Sequence, residues 1–590
     1  MAKYDLKTIP DELLAFYKTI IEKRSNELFS KKYTFVFGEK CKDSIRYSIA
    51  TRIHSFFESS IKKKIEDIII DSNPFYFLSK INTKDELFVN TYLKISHDIY
   101  TNGLSYFGEL KNNLEEYSNE LCEGFFNYMD LLFSNINVDK RDIEDKFFSR
   151  KNISIINDIS IDGKPTYADY SLTCIIDTNA GKFLYKPRDC KIDIWFKKLS
   201  ENYFSDIYYV PNVLSYQNHS YCEFIYNKPA STNEECKKYY YNFGGICAIM
   251  CLFFGNDFTY LNIFAKKNVP VLIDIETLLR PRYQIVEDYN LSFLDGSVLG
   301  LHILPNNRRY GMFKNNDNPL MSKDDRNIAM PCINGVKKDV MEYFDYFLDG
   351  YKNLYNYILN NKNEIIKDIE NSSGFNTRLI LRLPYIYYGN MYRFLDLKYI
   401  ADKNEKQSLI NKLIGLFSGK YRSDNVAKKE VECLSKNQLP YFYGDIESRD
   451  VCSAGEILEK DFFSLSPKDN CLDRFKHFDN DDLEFELKLI KDSFENDELI
   501  NISIDFNNLS FDKKYSLFNI IKKHVIKAYN DKYIWINIIV DNSDGYIFDV
   551  IKASRKIAEF CHNFAKELSG DDQLSALDLA NNALNIEIKI

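Results

Sequence analysis

The chain has 590 residues, 45% of them hydrophobic and 28% charged, with only 22 glycines and 14 prolines. That composition excludes collagen-like and disordered chains, and at about 100–200 residues per domain the length predicts about three to five units. Acidic residues outnumber basic ones, 86 to 77, for a formal charge of −9; spread over so large a surface it argues against nucleic-acid binding, so an anionic ligand must be held by a local site.

Residues 1–20 carry charges and a proline where a signal peptide needs an unbroken apolar core. The longest apolar run, residues 246–254, is far short of the roughly 18 residues of a membrane-span candidate. Thirteen cysteines without a C-x-x-C pair fit free thiols in a reducing compartment. A soluble, cytoplasmic protein with no membrane span is expected.

From residue 6 to 148 apolar residues recur at three and four, as in Leu13, Leu14, Tyr17, Ile20 and Ile21, with breaks at 71–74 and at Asn102-Gly103. This predicts a helical N-terminal region. From Ile153 the chain turns β-rich: residues 171–176 and 181–185 flank Asp-Thr-Asn-Ala-Gly at 177–181, a hairpin turn, and further strands are expected over 208–213 and 220–225. A helix over 233–254 follows, with Thr232 or Asn233 as N-cap and Gly255 as C-cap. Residues 269–275 read as a buried strand. From about Leu409 the pattern is mixed and ends in an amphipathic helix over 548–568.

The densest chemistry lies in residues 257–276, DFTYLNIFAKKNVPVLIDIE. Phosphoryl transfer needs an Asp to orient or deprotonate a hydroxyl, and an Asn and an Asp to hold magnesium against phosphates. Asp257, Asn262 and Asp274 are so spaced, and strand alternation places Glu276 on the face of Asp274. Taken alone, a D-x4-N…D pattern also arises by accident in surface loops. Upstream, Lys186 closes the β-rich run Phe183-Leu184-Tyr185, where a kinase-type site puts a lysine onto nucleotide phosphates; a single strand-edge lysine is more often only a guard against aggregation. Together the two segments follow the order of a bilobal kinase, although no G-x-G-x-x-G loop is present.

The surrounding residues carry a resemblance. Lys186-Pro187-Arg188 after FLY, Glu223-Phe224, and residues 239–281 look like the dehydratase domain of the type II lanthionine synthetases, the LanM family, whose motifs run YKPR, D-x-H-x-x-N and P-V-x-I-D-x-E-T-L. The match is dense over 150–285 and continues more weakly through Arg378 to Arg382, Leu439-Pro440-Tyr441-Phe442 and residues 533–536. The resemblance implies an α+β fold with a lipid-kinase-like bilobal core (151–400; small lobe 151–228, large lobe 229–400), a largely helical region before it (1–150), and helical or mixed elements after it (401–590). It implies ATP- and Mg2+-dependent phosphorylation of Ser and Thr in a ribosomal precursor peptide, with phosphate elimination to dehydroalanine or dehydrobutyrine left open. Lys186 would hold the nucleotide phosphates, Asp257 would orient the acceptor hydroxyl, and Asn262, Asp274 and Glu276 would serve the magnesium.

For elimination, the family uses an Asp and a His in D-x-H-x-x-G-[RK], and an Arg and a Thr further on. Here Asp158 and Arg378 remain, but the histidine is Ser160 and the threonine is Pro384, and the catalytic-loop histidine is Thr259. Serine is no near-neutral acid or base, and proline offers no side-chain donor. The family's zinc cyclase is not expected: Cys561-His562 has no second cysteine downstream, so no zinc site is predicted and a separate cyclase partner becomes an option. Two alternatives stand beside the dehydratase: a phosphorylation-only kinase, of peptides or of another hydroxyl acceptor, and a degenerate protein that binds the precursor peptide or a partner without chemistry. Cys247 and Cys251, four apart in the most apolar helix, and the stripe at 239–241 read as core packing rather than sites.

Overall fold

The computed structural model describes residues 8–72, 86–161, 166–205, 207–258, 262–283, 297–304 without 302, 329–421 without 383, 423–495 and a few positions between 562 and 577. The helical N-terminal region is present as α1 (Asp11–Phe29), α2 (Glu39–Ser72), α3 (Glu86–Asn102) and α4 (Lys111–Phe148), with the two-residue strand β1 (Val36–Phe37). In α2 a fully buried stripe at every fourth position, Cys41, Ile45, Ile49, Ile53, Phe57, Ile61, Ile65 and Ile69, makes one face wholly apolar. α3 ends where Gly103 adopts a left-handed φ of 60°, as the Asn-Gly break predicts.

β2 (Ile155–Ile161), β4 (Cys174–Thr178), β5 (Lys182–Lys186), β6 (Val213–Ser215) and β7 (Ser220–Glu223) join β1 in a six-stranded sheet of order β1-β2-β4-β5-β7-β6. The predicted hairpin joins β4 to β5, whereas the strand expected over 208–213 forms instead at Val213–Ser215 and the one expected over 220–225 ends at Glu223. Strand alternation splits the sheet. Cys174, Ile176, Phe183, Tyr185 and Tyr221 share one core with the N-terminal helices, so those helices and the sheet are packed together. On the other face Ser160, Ile175, Leu184, Cys222 and Val213 lie in register across the strands; Ser160 is exposed, Ile175 and Leu184 are partly buried, Cys222 and Val213 are buried with Cys190, and Lys186 lies two residues beyond Leu184.

β3 (Thr166–Tyr167) pairs with β15 (Gln438–Leu439), and α5 (Lys191–Tyr203) follows β5. β8 (Lys228–Pro229), β9 (Ile263–Lys267) and β10 (Val269–Leu272) form a second sheet beside the central helix α6 (Asn233–Leu252). Thr232 caps α6, its hydroxyl accepting the Glu235 N–H. At the other end the left-handed residue is Phe254 rather than the glycine expected, and the Gly255 N–H reaches back to the Met250 carbonyl at 2.7 Å. Arg282–Tyr283 (β11) and the hairpin of Cys332–Ile333 (β12) with Val336–Lys337 (β13) lead to α7 (Phe344–Asn360) and α8 (Lys362–Glu370). α6 and α7 cross at backbone distance: a Cβ on Gly244 would lie 1.9 Å from the Phe347 carbonyl oxygen, and one on Gly350 would lie 1.8 Å from that of Tyr241. Only glycine permits that approach. Cys247 and Cys251 are fully buried there among apolar side chains, in line with a packing role.

The remaining described chain runs through β14 (Asn376–Leu379), α9 (Pro384–Phe394), α10 (Leu397–Ala401), α11 (Lys403–Tyr421), α12 (Asp424–Ser435), then β16 (Phe442–Asp445), β17 (Val451–Ser453), β18 (Glu456–Glu459), β19 (Phe463–Leu465), α13 (Pro467–His477) and α14 (Asn480–Glu495). β14, β16, β17 and β18 make a four-stranded sheet. The molecule is thus mixed α and β, with small sheets among many helices. No described helix is long and apolar enough to cross a membrane. The amphipathic helix expected over 548–568 lies almost wholly outside the described residues.

α14 closes the large core with a buried polar network: Arg474 is bidentate to Asp482 at 2.9 and 2.8 Å, Tyr355 donates to Asp482, and Glu486 accepts the Val298 N–H at 2.8 Å. Burial, and then the neighbouring Asp482, push the Glu486 carboxyl up to about 8. A raised folded-state value means that the folded protein holds a proton the unfolded chain has released. This stabilisation is full below the ordinary carboxyl value and is lost as pH rises through about 8. The thermal midpoint of the wild type, followed by scanning fluorimetry, therefore declines relative to Glu486→Gln as pH rises from 5 to 8.5, by about several degrees.

Candidate active site

Lys186 ends β5 with its side chain almost fully buried, and its Nζ donates to Asp274 Oδ1 at 3.1 Å and to the Ile273 carbonyl at 3.3 Å. The strand predicted over 269–275 stops at Leu272, so Asp274 and Glu276 leave strand geometry and stand in a bend. They nevertheless converge, because Arg188 bridges them: one guanidinium nitrogen donates to Asp274 Oδ1 at 2.8 Å, and Nε forms an ion pair with Glu276 Oε2 at 2.6 Å. From β14, Arg378 donates to Glu276 Oε1 at 2.6 Å and to the Tyr167 hydroxyl at 3.2 Å. Its guanidinium lies 5.3 and 5.4 Å from the ring centres of Tyr167 and Tyr441. The Tyr441 hydroxyl completes the cluster with a 3.1 Å bond to Glu276 Oε2.

Glu276, expected at the metal, therefore has both oxygens taken by protein donors: it is the anchor of two arginines and a tyrosine. Asp274 is more open, with 30% of its side chain exposed, and its Oδ2 is the oxygen that neither Lys186 nor Arg188 takes. Burial alone would raise the Asp274 carboxyl, but Lys186, Arg188 and Arg378 together hold it down to about 2. Burial likewise works against the Lys186 ammonium, and Asp274 outweighs it, so the lysine sits above its ordinary value. Asp193, at the start of α5, lies within the field of Lys186 and Arg188; burial raises its carboxyl, and its Oδ2 has no hydrogen-bond partner among the described residues.

The loop after α6 carries Asp257, held at a left-handed φ of 63°, an uncommon conformation for a non-glycine residue. Several bonds tie this loop to the Asp274 segment: Thr277 Oγ1 donates to the Asn256 carbonyl at 2.6 Å, the Leu279 N–H reaches the Phe253 carbonyl at 2.9 Å, and Asn256 Oδ1 accepts the Asp257 N–H at 2.7 Å. Asn262 spans the loop, its Nδ2 donating to the Asp257 carbonyl at 3.0 Å and its own carbonyl accepting the Ile273 N–H at 3.0 Å. The Asp257 charge is felt at Arg378. Lys186, Asp257, Asn262, Asp274, Glu276 and Arg378 thus belong to one connected neighbourhood.

Asp158 does not join it. In register it faces Asp177, which faces Lys182, four residues short of Lys186, and its carboxylate is bound at 2.7 Å to Lys40 and at 2.7 Å to Ser44 of α2. Ser160 lies nearer, exposed on the open face of the sheet opposite Ile175. Pro384 is the first residue of α9, a position where a missing N–H costs nothing. Thr259 lies outside the described residues. Arg188, Tyr167 and Tyr441 were not singled out from the sequence, although Arg188 stands two residues after Lys186 and Tyr441 sits inside the Leu439-Pro440-Tyr441-Phe442 motif.

Removing Glu276 tests the cluster independently of any activity. Glu276→Ala leaves two buried guanidinium groups without their carboxylate and lowers the unfolding free energy in urea by about 3–5 kcal/mol. Glu276→Gln, which keeps one acceptor, costs less.

The chain is 23% identical over 377 residues, 55% of its length, to the "Lacticin 481/lactococcin biosynthesis protein LcnDR2" of Lactococcus lactis subsp. lactis, of which it spans 40%. Residues 112–324 and 314–445, more than half of the chain and including the whole cluster, match a family described as a domain of unknown function, DUF4135. The protein is a member of the DUF4135 family.

Proposed function

We propose that the chain is a LanM-like enzyme of lanthipeptide biosynthesis that uses ATP and magnesium to phosphorylate Ser and Thr side chains of a ribosomally made precursor peptide. The observation that carries this reading is the meeting of Lys186, from the small sheet, with Asp274, beyond β10, beside a loop bearing Asp257 and Asn262. A lysine from one sheet meeting a carboxylate beside a loop with Asp and Asn is what a two-lobed, kinase-like phosphotransferase would need. The family membership and the biosynthetic name of the Lactococcus relative support the assignment.

Magnesium would be held by hard oxygen donors and would supply charge neutralisation for the nucleotide phosphates. The residues fit it: Asp274 keeps Oδ2 while Oδ1 is held by Lys186 and Arg188, and Asn262, anchored through its nitrogen, offers Oδ1. Lys186 holds the phosphates, and Asp257 orients the acceptor hydroxyl and takes its proton. Ile175 and Leu184, only partly buried on the sheet face that bears Lys186, would supply an apolar wall for the base. Glu276 acts through the two arginines.

Phosphorylation without elimination is the second reading, and the place of Asp158 favours it: bound to Lys40 and Ser44, it is remote from Arg378's cluster. Incubation of the full chain with a Ser/Thr-containing precursor peptide, ATP and magnesium, followed by mass spectrometry, separates the readings. A gain of phosphate is the expected product, a loss of water shows elimination as well, and an unchanged mass with peptide bound overturns the phosphotransferase. Asp274→Asn abolishes phosphate transfer and leaves peptide affinity, measured by fluorescence anisotropy, unchanged.

A further inference from the structure

Two thiols meet beside the carboxylate cluster. Cys222, on β7, stands in register with Leu184 of β5 and Val213 of β6, on the sheet face that bears Lys186. Residues 187–190 fold back over that face: the Cys190 N–H donates to Ser215 Oγ at 2.9 Å, and Ser220 Oγ donates to the Arg188 carbonyl at 2.8 Å. This latch lays Cys190 onto Cys222, and the two are buried with Val213 in one small apolar cluster. Their side chains are hydrogen-bonded to each other. The Cys190 sulfur also accepts from Arg188 Nη1 at 3.2 Å, while Nη2 of the same guanidinium donates to Asp274 at 2.8 Å. A dithiol pair thus shares one arginine with the carboxylates, and phosphoryl transfer has no use for either sulfur.

We propose that Cys190 and Cys222 form a peroxide-sensitive redox site, whose disulfide loosens Arg188 from Asp274 and shuts the anion-binding site beside Lys186. Cys222 attacks one peroxide oxygen; the O–O bond breaks, water leaves with the thiol proton, and Cys222 becomes a sulfenic acid. The Cys190 sulfur then attacks the Cys222 sulfur, its proton leaves with the sulfenic oxygen as a second water, and the S–S bond closes. The sulfurs give up two electrons between them and the peroxide takes both. Cys222 is the attacking sulfur: the Cys190 hydrogen bond, and then Lys186 and Arg188, hold its thiol below the ordinary value against burial and Asp193, whereas burial pushes the Cys190 thiol up. Access runs through β6, a three-residue strand at the edge of the sheet, whose fraying uncovers the pair. Closing the bond takes the Cys190 sulfur from Arg188, and with only Asp189 between them the guanidinium is drawn along. In a reducing compartment the bond is transient and a dithiol reductant reopens it. The consequence for the nucleotide rests on the phosphotransferase reading; formation of the disulfide does not.

The test treats the full chain with hydrogen peroxide, maps its cysteines by alkylation, digestion and mass spectrometry, and titrates magnesium-ATP calorimetrically before oxidation, after it and after dithiothreitol. The expected result is a Cys190–Cys222 cross-linked peptide, at least a tenfold loss of magnesium-ATP affinity in the oxidised protein, and recovery on reduction. Cys190→Ser and Cys222→Ser each abolish the link and keep their magnesium-ATP affinity through the peroxide treatment. A wild type whose two thiols stay alkylatable, or link to other cysteines, overturns the proposal without recourse to any variant. So does a linked protein that binds magnesium-ATP as tightly as the reduced one, and so does an equal loss in wild type and Cys190→Ser, which assigns the effect to other oxidised residues. Failure of magnesium-ATP to bind even the reduced wild type strikes the phosphotransferase reading and with it the shutting of the site, while the peptide map still decides the disulfide.

Discussion

Two carboxylates, Asp274 and Glu276, and the three cations that converge on them hold the centre of this molecule together. Lys186 and Arg188 arrive from the end of β5, Arg378 from β14, and the carboxylates from the bend after β10. Charges buried this deeply are costly to desolvate, and each is tolerable only because the others are in place. The arrangement is therefore a constraint on geometry more than a reserve of stability: it admits one relative placement of three chain segments. The Arg378 backbone N–H and the Thr377 hydroxyl both donate to the Glu276 carbonyl, at 2.8 and 3.1 Å, and brace the same junction.

The scaffolding around the cluster serves that placement. The N-terminal helices cover one face of the small sheet, and Lys186 projects from the other. Asp139 of α4 pins the sheet by taking both the His219 ring at 2.7 Å and the Tyr221 hydroxyl at 2.8 Å. On the other side, the glycine crossing of α6 and α7 brings the two helices into backbone contact, and α6 ends where the Asp257 loop must begin. A residue with a Cβ at Gly244 or Gly350 would push the helices apart and move that loop.

How far the site was legible varied with how local its signals are. Lys186, Asp257, Asn262 and Asp274 could be found because each sits in a short motif whose spacing has a chemical meaning. The role of Glu276 was misplaced, since strand alternation assigned it to the face of Asp274 when the strand in fact ends at Leu272 and its oxygens meet donors from elsewhere. Arg188 was in view beside Lys186, but nothing local says that an arginine bridges two carboxylates nearly ninety residues away. Tyr441 and Tyr167 reach the cluster from β16's approach and from β3, a convergence without any periodic trace in the sequence. Asp158 shows the converse: a residue in a motif that matches the family, drawn instead to Lys40 and Ser44 on α2.

By itself, the sequence determined the helical N-terminal region, the β4–β5 hairpin, the capped helix α6 and the short motifs that carry Lys186, Asp257, Asn262 and Asp274. Helix stripes, turn residues and caps are interactions over a few positions and leave a pattern of that length. Only the tertiary structure decided which charges neutralise one another, and that Asp274 keeps an oxygen while Glu276 does not. Electrostatic pairing in a low-dielectric interior depends on distance in space, and separation along the chain carries almost no information about it.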